Sequence, residues 1–264
     1  MKICSIASGS SGNCSYIGNH TTGVLVDAGI SGKKIEQGLD SIGVNPKDLK
    51  GILITHEHSD HVKGVGVLAR KYEIPIYGTA ETINAMLKSS SIGRIPEGLF
   101  RFVKPDCSFL IDELEVNPFS ISHDAANPVC YTFQSENKKI GYATDLGKYD
   151  DYIVEKLKDS DILFLEANHD VNMLMVGAYP YYLKQRILGD HGHLSNDLSA
   201  KLICELLHDK LKSVILAHLS KENNYEALAY ETVAQSVAQS VGSKEAPRII
   251  VANREEPSEI FTVA

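Results

Sequence analysis

Short apolar runs alternate along this chain with longer stretches of helical period, and polar residues able to do chemistry fall where the runs stop. Residues 2–7, 14–17 and 23–27 read as strands, and Ser31 opens a helix that runs through Leu39. Gly51-Ile52-Leu53-Ile54 is an unbroken apolar run, which predicts a buried strand. A helix follows over 62–72, with Val65, Leu68 and Tyr72 on one face. Residues 74–77 form a short strand, and Thr79 caps a helix over 80–88. From 99 to 121 the texture turns to β, and 99–103, 107–111 and 114–120 predict successive antiparallel strands. Residues 129–134 and 139–143 predict a hairpin across Glu136-Asn137.

The remainder alternates strand and helix. Helices are predicted over 149–158 and 179–188, the second with Pro180 near its start, and 162–166 is a buried strand. Ser195 caps a helix whose stripe is Leu198, Leu202 and Leu206, with Ile203 and Leu207. A strand at 213–216 leads to a last helix over 225–241, with Tyr230, Val233, Val237 and Val241 facing inward. Strands at 248–251 and 259–263 finish the chain. No linker or low-complexity tract interrupts it, so a single domain over 1–264 is expected.

Composition narrows the classes. The 264 residues are 43% hydrophobic, enough for a substantial core, and the formal net charge is -8. A polyanionic partner cannot be drawn by a global positive field; local basic groups or metal ions would have to hold it. Cys4, Cys14, Cys107, Cys130 and Cys204 are scattered with no C-x-x-C pair, as in reduced cytosolic proteins. The N-terminus lacks a signal-peptide core and no apolar run reaches transmembrane length, so the expected location is cytoplasmic, away from membranes.

The chemistry concentrates in Thr55-His56-Glu57-His58-Ser59-Asp60-His61, directly after the 51–54 run. His56 and His58 can point the same way from an extended backbone. Asp60 and His61 follow where the chain turns. Imidazole and carboxylate suit zinc, manganese or iron better than calcium, and the absence of Cys argues against a closed structural zinc site. Further polar residues follow later strands: His123, Asp145, His193 and His218. Two ions near 56–61 need donors beyond that loop, and these residues are the candidates. Ser8-Gly9-Ser10-Ser11-Gly12-Asn13 reads either as a plain tight turn or as a backbone and hydroxyl cradle for an anion; it lacks the Lys of a P-loop. His169 stands beside the proposed site without an assigned role.

The order H-x-H-x-D-H, then His, Asp and His, resembles the metallo-β-lactamase superfamily over nearly the whole chain. The resemblance implies an α+β fold, a four-layer αββα sandwich with the site at one edge. It implies a first ion on His56, His58 and His123, a second on Asp60, His61 and His218, and Asp145 bridging both. Gly192-His193-Leu194-Ser195 and Ala217-His218-Leu219-Ser220-Lys221-Glu222-Asn223-Asn224 resemble the C-terminal motifs of ribonuclease Z-like members. With Leu165-Glu166-Ala167-Asn168-His169-Asp170 and the Ser8-to-Asn13 loop, the set is most similar to the YycJ/WalJ branch, which is associated with 5′→3′ exonuclease activity on DNA. There is no long arm insert of the kind that clamps tRNA.

The resemblance therefore implies a phosphodiester hydrolase using two divalent ions, zinc by default and manganese or iron otherwise, with DNA a better fit than RNA. Asp60 would orient the nucleophile while binding metal, His193 would give a proton to the leaving oxygen, and Glu166 would fix the tautomer of His193. Ser8, Ser10, Ser11, Asn13 and Lys221 are the expected substrate contacts. Two other readings use the same residues: a hydrolase of a small thioester, lactone, cyclic phosphodiester or β-lactam, and a metal-binding regulatory protein without turnover.

Overall fold

Strands β1 (Lys2–Ala7), β2 (Cys14–Gly18) and β3 (Gly23–Val26) are buried almost throughout rather than on alternate residues. That pattern is what a sheet covered on both faces requires. The three pair antiparallel. Helix α1 (Gly32–Ser41) follows, its first turn held by the Ser31 hydroxyl accepting from the Lys34 amide. It returns the chain to β4 (Leu49–Leu53), which lies parallel to β3. Helices α2 (Ser59–Val62) and α3 (Val65–Tyr72) lead to β5 (Ile76–Gly78), and α4 (Ala80–Leu87), capped by Thr79, leads to β6 (Phe100–Phe102). Strands β5 and β6 continue the parallel part, and the C-terminal strand (Phe261–Thr262) pairs antiparallel with β1 to complete a seven-stranded sheet. Ile6, Leu25, Ile35, Leu39, Ile52, Leu68 and Met86 form its core.

The computed structural model describes residues 1–241 and 245–263, and the chain divides into two units. The first contains this sheet together with an antiparallel ribbon of β7 (Phe109–Ile111), β8 (Leu114–Ser120) and β9 (Val129–Ser135). Tyr131 of β9 is fully buried and its hydroxyl donates to the Ile54 carbonyl at 2.7 Å.

The strands of the second unit, Ile121–Asp124 with Lys138–Ala252, pair parallel with one another. Its strands are β10 (Lys138–Ala143), β11 (Ile162–Glu166), β12 (Ser213–Ala217) and β13 (Arg248–Val251). Between them run α5 (Asp151–Leu157), α6 (Val171–Val176), α7 (Tyr181–Leu188), α8 (Asn196–Glu205) and α9 (Glu226–Val241). Parallel strands end at one edge, and ligands gather at the carboxyl ends of such strands. Here Glu166 ends β11, Asp145 follows β10 by two residues, and His218 follows β12 by one.

Several local expectations need correction. The helix expected over 62–72 is two pieces, and it starts early enough to include Asp60 and His61. Gly64 separates them because its amide donates to the Ala28 carbonyl at 2.7 Å, and a Cβ at Gly64 would lie 2.4 Å from the Ile30 carbonyl oxygen. Residues 100–102 extend the first sheet parallel to β5 rather than opening the antiparallel ribbon. Leu198 and Tyr230 face outward, and the buried stripe of α9 is Ala229, Val233 and Val237. Helix α6 had no counterpart in the reading of the sequence, because a single turn and a half carries too little periodicity to detect. No helix among the described residues is long and apolar enough to cross a membrane.

Three loops of the first unit are laced by backbone hydrogen bonds: Gly29 N to Asn13 O at 2.7 Å, Asn13 N to Asp60 O at 2.8 Å, and Ala28 N to His61 O at 2.8 Å. A Cβ at Gly29 would fall 1.6 Å from the Asp60 carbonyl oxygen, and backbone cannot yield as a flexible side chain can. Gly29→Ala should therefore cost about 2 kcal/mol or more in urea unfolding, as overpacked sites do. It should also weaken metal uptake. Unchanged unfolding midpoints would show that the loops part easily.

Candidate metal centre

In the first unit the strand β4 delivers Thr55 and His56 to the sheet edge, and the chain then turns into α2. The His56 Nε2 and His58 Nδ1 atoms stand 3.0 Å apart, and the rings of His56 and His61 are 4.1 Å apart. The His61 Nε2 lies 3.6 Å from an Asp60 carboxylate oxygen. Three imidazoles and a carboxylate thus converge within one turn of chain. Asp27, at the end of β3, organises them from beneath. Its carboxylate accepts the Thr55 amide at 2.9 Å and the Thr55 hydroxyl at 2.8 Å, and lies 2.7 Å from His61 Nδ1. That contact places the His61 proton on Nδ1 and turns the Nε2 lone pair outward, the arrangement in which a carboxylate orients a metal-binding imidazole. Burial raises the Asp27 pKa above its ordinary value, with His61 and Thr55 pulling it back.

In the second unit Asp145, Glu166, His193 and His218 bring one donor atom each within 4.8 Å of one another. Glu166 is fully buried, and its carboxylate oxygens are saturated. Oε1 lies 2.8 Å from His193 Nδ1 and 2.9 Å from His218 Nδ1, and Oε2 accepts the amides of Leu146 at 2.9 Å and Leu194 at 3.1 Å. Burial alone would raise its pKa, but His193 and His218 outweigh it and hold the carboxyl well below the usual range. Each of its two oxygens thus already meets two hydrogen-bond partners. His123 is fixed in the same manner, with Nδ1 3.2 Å from the Gly192 carbonyl. The Asp145 carboxylate lies 3.8 Å from His123 Nε2 and 3.6 Å from His218 Nδ1. In each unit the donors are oxygen and imidazole nitrogen, and His61, His123, His193 and His218 each turn Nδ1 towards an oxygen, so both clusters fit a divalent transition ion.

The backbone contributes as well. Asp27, Asp145 and His218 all have left-handed φ, at 59°, 59° and 56°. Residues other than glycine take that conformation at a cost, and it recurs where the surroundings fix it for function. Each follows a strand directly or by a residue or two, so the kink ends the strand and turns the side chain.

The expected substrate contacts fall into two kinds. Ser10, Ser11 and Lys221 are exposed, whereas Ser8 and Asn13 are buried. The Asn13 side chain accepts the Gly9 amide at 2.9 Å and lies 3.1 Å from His61 Nε2, so it ties the Ser8-to-Asn13 loop to the metal-binding loop. The sequence reading passed over Asp27, Thr55, Asn168, Asn196 and Asn224. Asn224 donates to the carbonyls of Ala167 and Asn168 and pairs amide to amide with Asn196. Asn168 in turn donates to the His218 carbonyl at 2.9 Å. These asparagines fasten the loops that carry Glu166, His193 and His218. The signal was present in the runs Glu166-Ala167-Asn168 and Asn223-Asn224, whose amides sit in segments with no solvent-exposed reason to be polar.

Comparison with known proteins follows the same lines. Residues 22–219 match the beta-lactamase superfamily domain. The chain is 44% identical over 231 residues to exodeoxyribonuclease YycJ of Bacillus anthracis, covering 87% of this chain and 86% of the relative. It is 42% identical over 240 residues to exodeoxyribonuclease WalJ of Streptococcus pneumoniae, covering 91% and 89%. Among solved structures, the metallo-beta-lactamase fold protein YhfI of Bacillus subtilis superposes with a TM-score of 0.70 at 15% identity, over 98% of this chain and 99% of the other. The chain belongs to the metallo-β-lactamase superfamily, has its α+β fold, and is a metal-dependent hydrolase.

His169 is buried, neither ring nitrogen has a hydrogen-bond partner among the described residues, and burial lowers its pKa from 6.5 to about 4. A folded pKa below the unfolded one means that the unfolded chain binds the extra proton first, so stability falls as pH drops from 6.5 towards 4. In metal-stripped protein this group should remove about 2 kcal/mol between roughly pH 7 and pH 5. Urea unfolding of His169→Gln at the two pH values should show that increment gone. An identical pH response in both proteins would mean that His169 is protonated in the native state.

Proposed function

We propose that this member of the superfamily is a nucleic-acid phosphodiesterase, a 5′→3′ exonuclease acting on DNA in the cytoplasm with two divalent ions. The observation that carries the reading is identity of 42–44% over most of the chain to relatives named exodeoxyribonucleases. The oxygen and imidazole donor sets in both units support it. His56, His58 and His123 would hold one ion, Asp60, His61 and His218 the other, with Asp145 shared. Zinc suits these donors, and manganese or iron would satisfy them too. When bound, the ions supply Lewis-acid charge against the phosphoryl oxygens and make water acidic enough to serve as nucleophile near neutral pH.

The chain's own residues do the rest. Asp60 accepts a hydrogen bond from the attacking water and orients it. His193 is partly exposed, and its Nδ1 lies against Glu166, so the proton it can give sits on Nε2. The Glu166 carboxylate accepts from Nδ1 and so fixes the ring, and the imidazolium form gives its Nε2 proton to the leaving 3′-oxygen. The exposed hydroxyls of Ser10 and Ser11, with the backbone amides of their loop, bind a terminal 5′-phosphate, and Lys221 adds a positive charge. Ser8 and Asn13 keep that loop in place from inside.

The decisive experiment joins elemental analysis to digestion of labelled oligonucleotides with 5′-phosphate or 5′-hydroxyl ends. Close to two metal equivalents and stepwise release of nucleotides from 5′ ends are expected. One equivalent or none after reconstitution would remove the two-ion assignment, and cleavage of a thioester or lactone in place of DNA would move the enzyme to small-molecule hydrolysis. His193→Ala should keep its metal and lose about 10²–10⁴-fold in turnover. Asp145→Gly, which suits the left-handed backbone, should lose metal together with activity. Loss of metal from His193→Ala would show that His193 is a ligand.

Replacing Ser10 and Ser11 together by Ala should raise KM for 5′-phosphorylated DNA and leave bis-p-nitrophenyl phosphate hydrolysis nearly unchanged. Equal losses on both substrates would make the loop a support of the metal site.

A further inference from the structure

Helix α7 is unlike the other helices of its unit: none of its residues is fully buried. Its outer face carries Tyr181 and Tyr182, each 73% exposed, followed one turn later by Gln185 and Arg186. Val176, at the end of α6, is 86% exposed beside this segment in sequence, and the Lys184 ammonium holds the two helices together by donating to the Met175 carbonyl at 2.7 Å. Single exposed apolar side chains are ordinary, but two adjacent rings this exposed are the kind of patch that marks an interaction site.

Two further observations say what the partner is. Residues 171–188 contain Lys184 and Arg186 and no acidic residue, within a chain of 34 Asp and Glu against 26 Lys and Arg. The segment is aromatic and carries two cations, Lys184 and Arg186, the second paired with Asp124, on an acidic protein. It is also fastened to the catalytic machinery. The His193 amide donates to the Ile187 carbonyl at 3.0 Å, in the last turn of α7, and Arg186 donates to the Asp124 carboxylate at 2.5 Å, next to His123. The helix therefore holds a fixed position relative to the proton donor, which a surface for an unrelated partner would not need.

We propose that the exposed face of α7 is the platform on which the substrate's single strand lies, with bases stacked on Tyr181 and Tyr182 and the phosphates next to Lys184 and Arg186. Base stacking on aromatic rings tolerates every sequence, and a nearby cation holds the backbone without reading it. An exonuclease needs both properties, because it must bind each new end as the strand shortens. The proposal rests on the nuclease reading given above and adds to it where the strand runs.

The test uses the metal-loaded full chain and the double variant Tyr181→Ala, Tyr182→Ala, whose changed side chains are exposed and leave the core intact. KM for a single-stranded 5′-phosphorylated oligonucleotide should rise about tenfold or more. Turnover number and hydrolysis of bis-p-nitrophenyl phosphate should stay the same. An oligonucleotide with abasic sites near its 5′ end should give wild type and variant the same KM, since it offers nothing to stack. Unchanged KM for the normal oligonucleotide would overturn the proposal, as would an equal penalty on the abasic one. Sedimentation run alongside covers the other occupant: a loss of self-association in the variant that accounts for the KM change would assign the face to a second copy of the chain. Anisotropy of a labelled oligonucleotide separates this proposal from the reading beneath it. Binding that the double variant abolishes, in a wild type that cleaves no DNA, would keep the platform and remove the nuclease. No binding by the wild type would remove the platform.

Discussion

One buried carboxylate holds the second unit's chemistry in place. Glu166 has no exposure, and four hydrogen bonds converge on its two oxygens: two from imidazoles and two from backbone amides. A charge so far from water is tolerated only when every lone pair is met, because an unmet one would cost as much as the burial itself. The four donors come from three separate loops, after β10, before α8 and after β12. Satisfying Glu166 therefore forces those loops into one arrangement, and the positions of His193 and His218 follow from it. Removing the carboxylate would leave two imidazoles and two buried amides without the acceptor they share.

The first unit solves the same problem with Asp27. A short carboxylate at the end of β3 accepts from Thr55 twice and contacts His61, which fixes both the loop after β4 and the orientation of one ring. Neither Glu166 nor Asp27 belongs to the ligand set that the resemblance implies. Their shared property is that they sit one layer below it. The consequence is a set of imidazoles whose tautomers are chosen by the protein before any ion arrives, which lowers the reorganisation that binding demands.

Much of this was legible in the sequence, and the limits have physical causes. The H-x-H-x-D-H stretch announces itself because three imidazoles and a carboxylate crowd a single loop after an apolar run. Glu166 and His193 were readable for a weaker reason, as polar residues at strand and helix ends that matched a family's motifs. Asp27 was not, because Asp27-Ala28-Gly29 looks like an ordinary strand-ending turn; its contacts with Thr55 and His61 give it a role, and those depend on the β3 and β4 pairing. The path of residues 100–102 was misread because three residues carry no period that separates parallel from antiparallel pairing. Tyr230 and Leu198 were assigned inward on spacing, although each lies at the margin of its helix's apolar stripe, where a small rotation decides exposure.

The left-handed residues at the three strand ends bear on how this sequence can drift. At most surface or core positions a neutral path leads through several chemically similar residues. At Asp27, Asp145 and His218 the backbone admits few occupants comfortably, chiefly Gly, Asn, Asp and His, while the chemistry admits fewer still. For the two aspartates these sets overlap at Asp itself, so the backbone and the carboxylate favour the same residue. For His218 they overlap at His, which takes the left-handed conformation more readily than most residues do. A descendant that lost its substrate is expected to replace these residues by Gly or Asn before any β-branched or bulky one, because the kinks that end the strands outlast the chemistry.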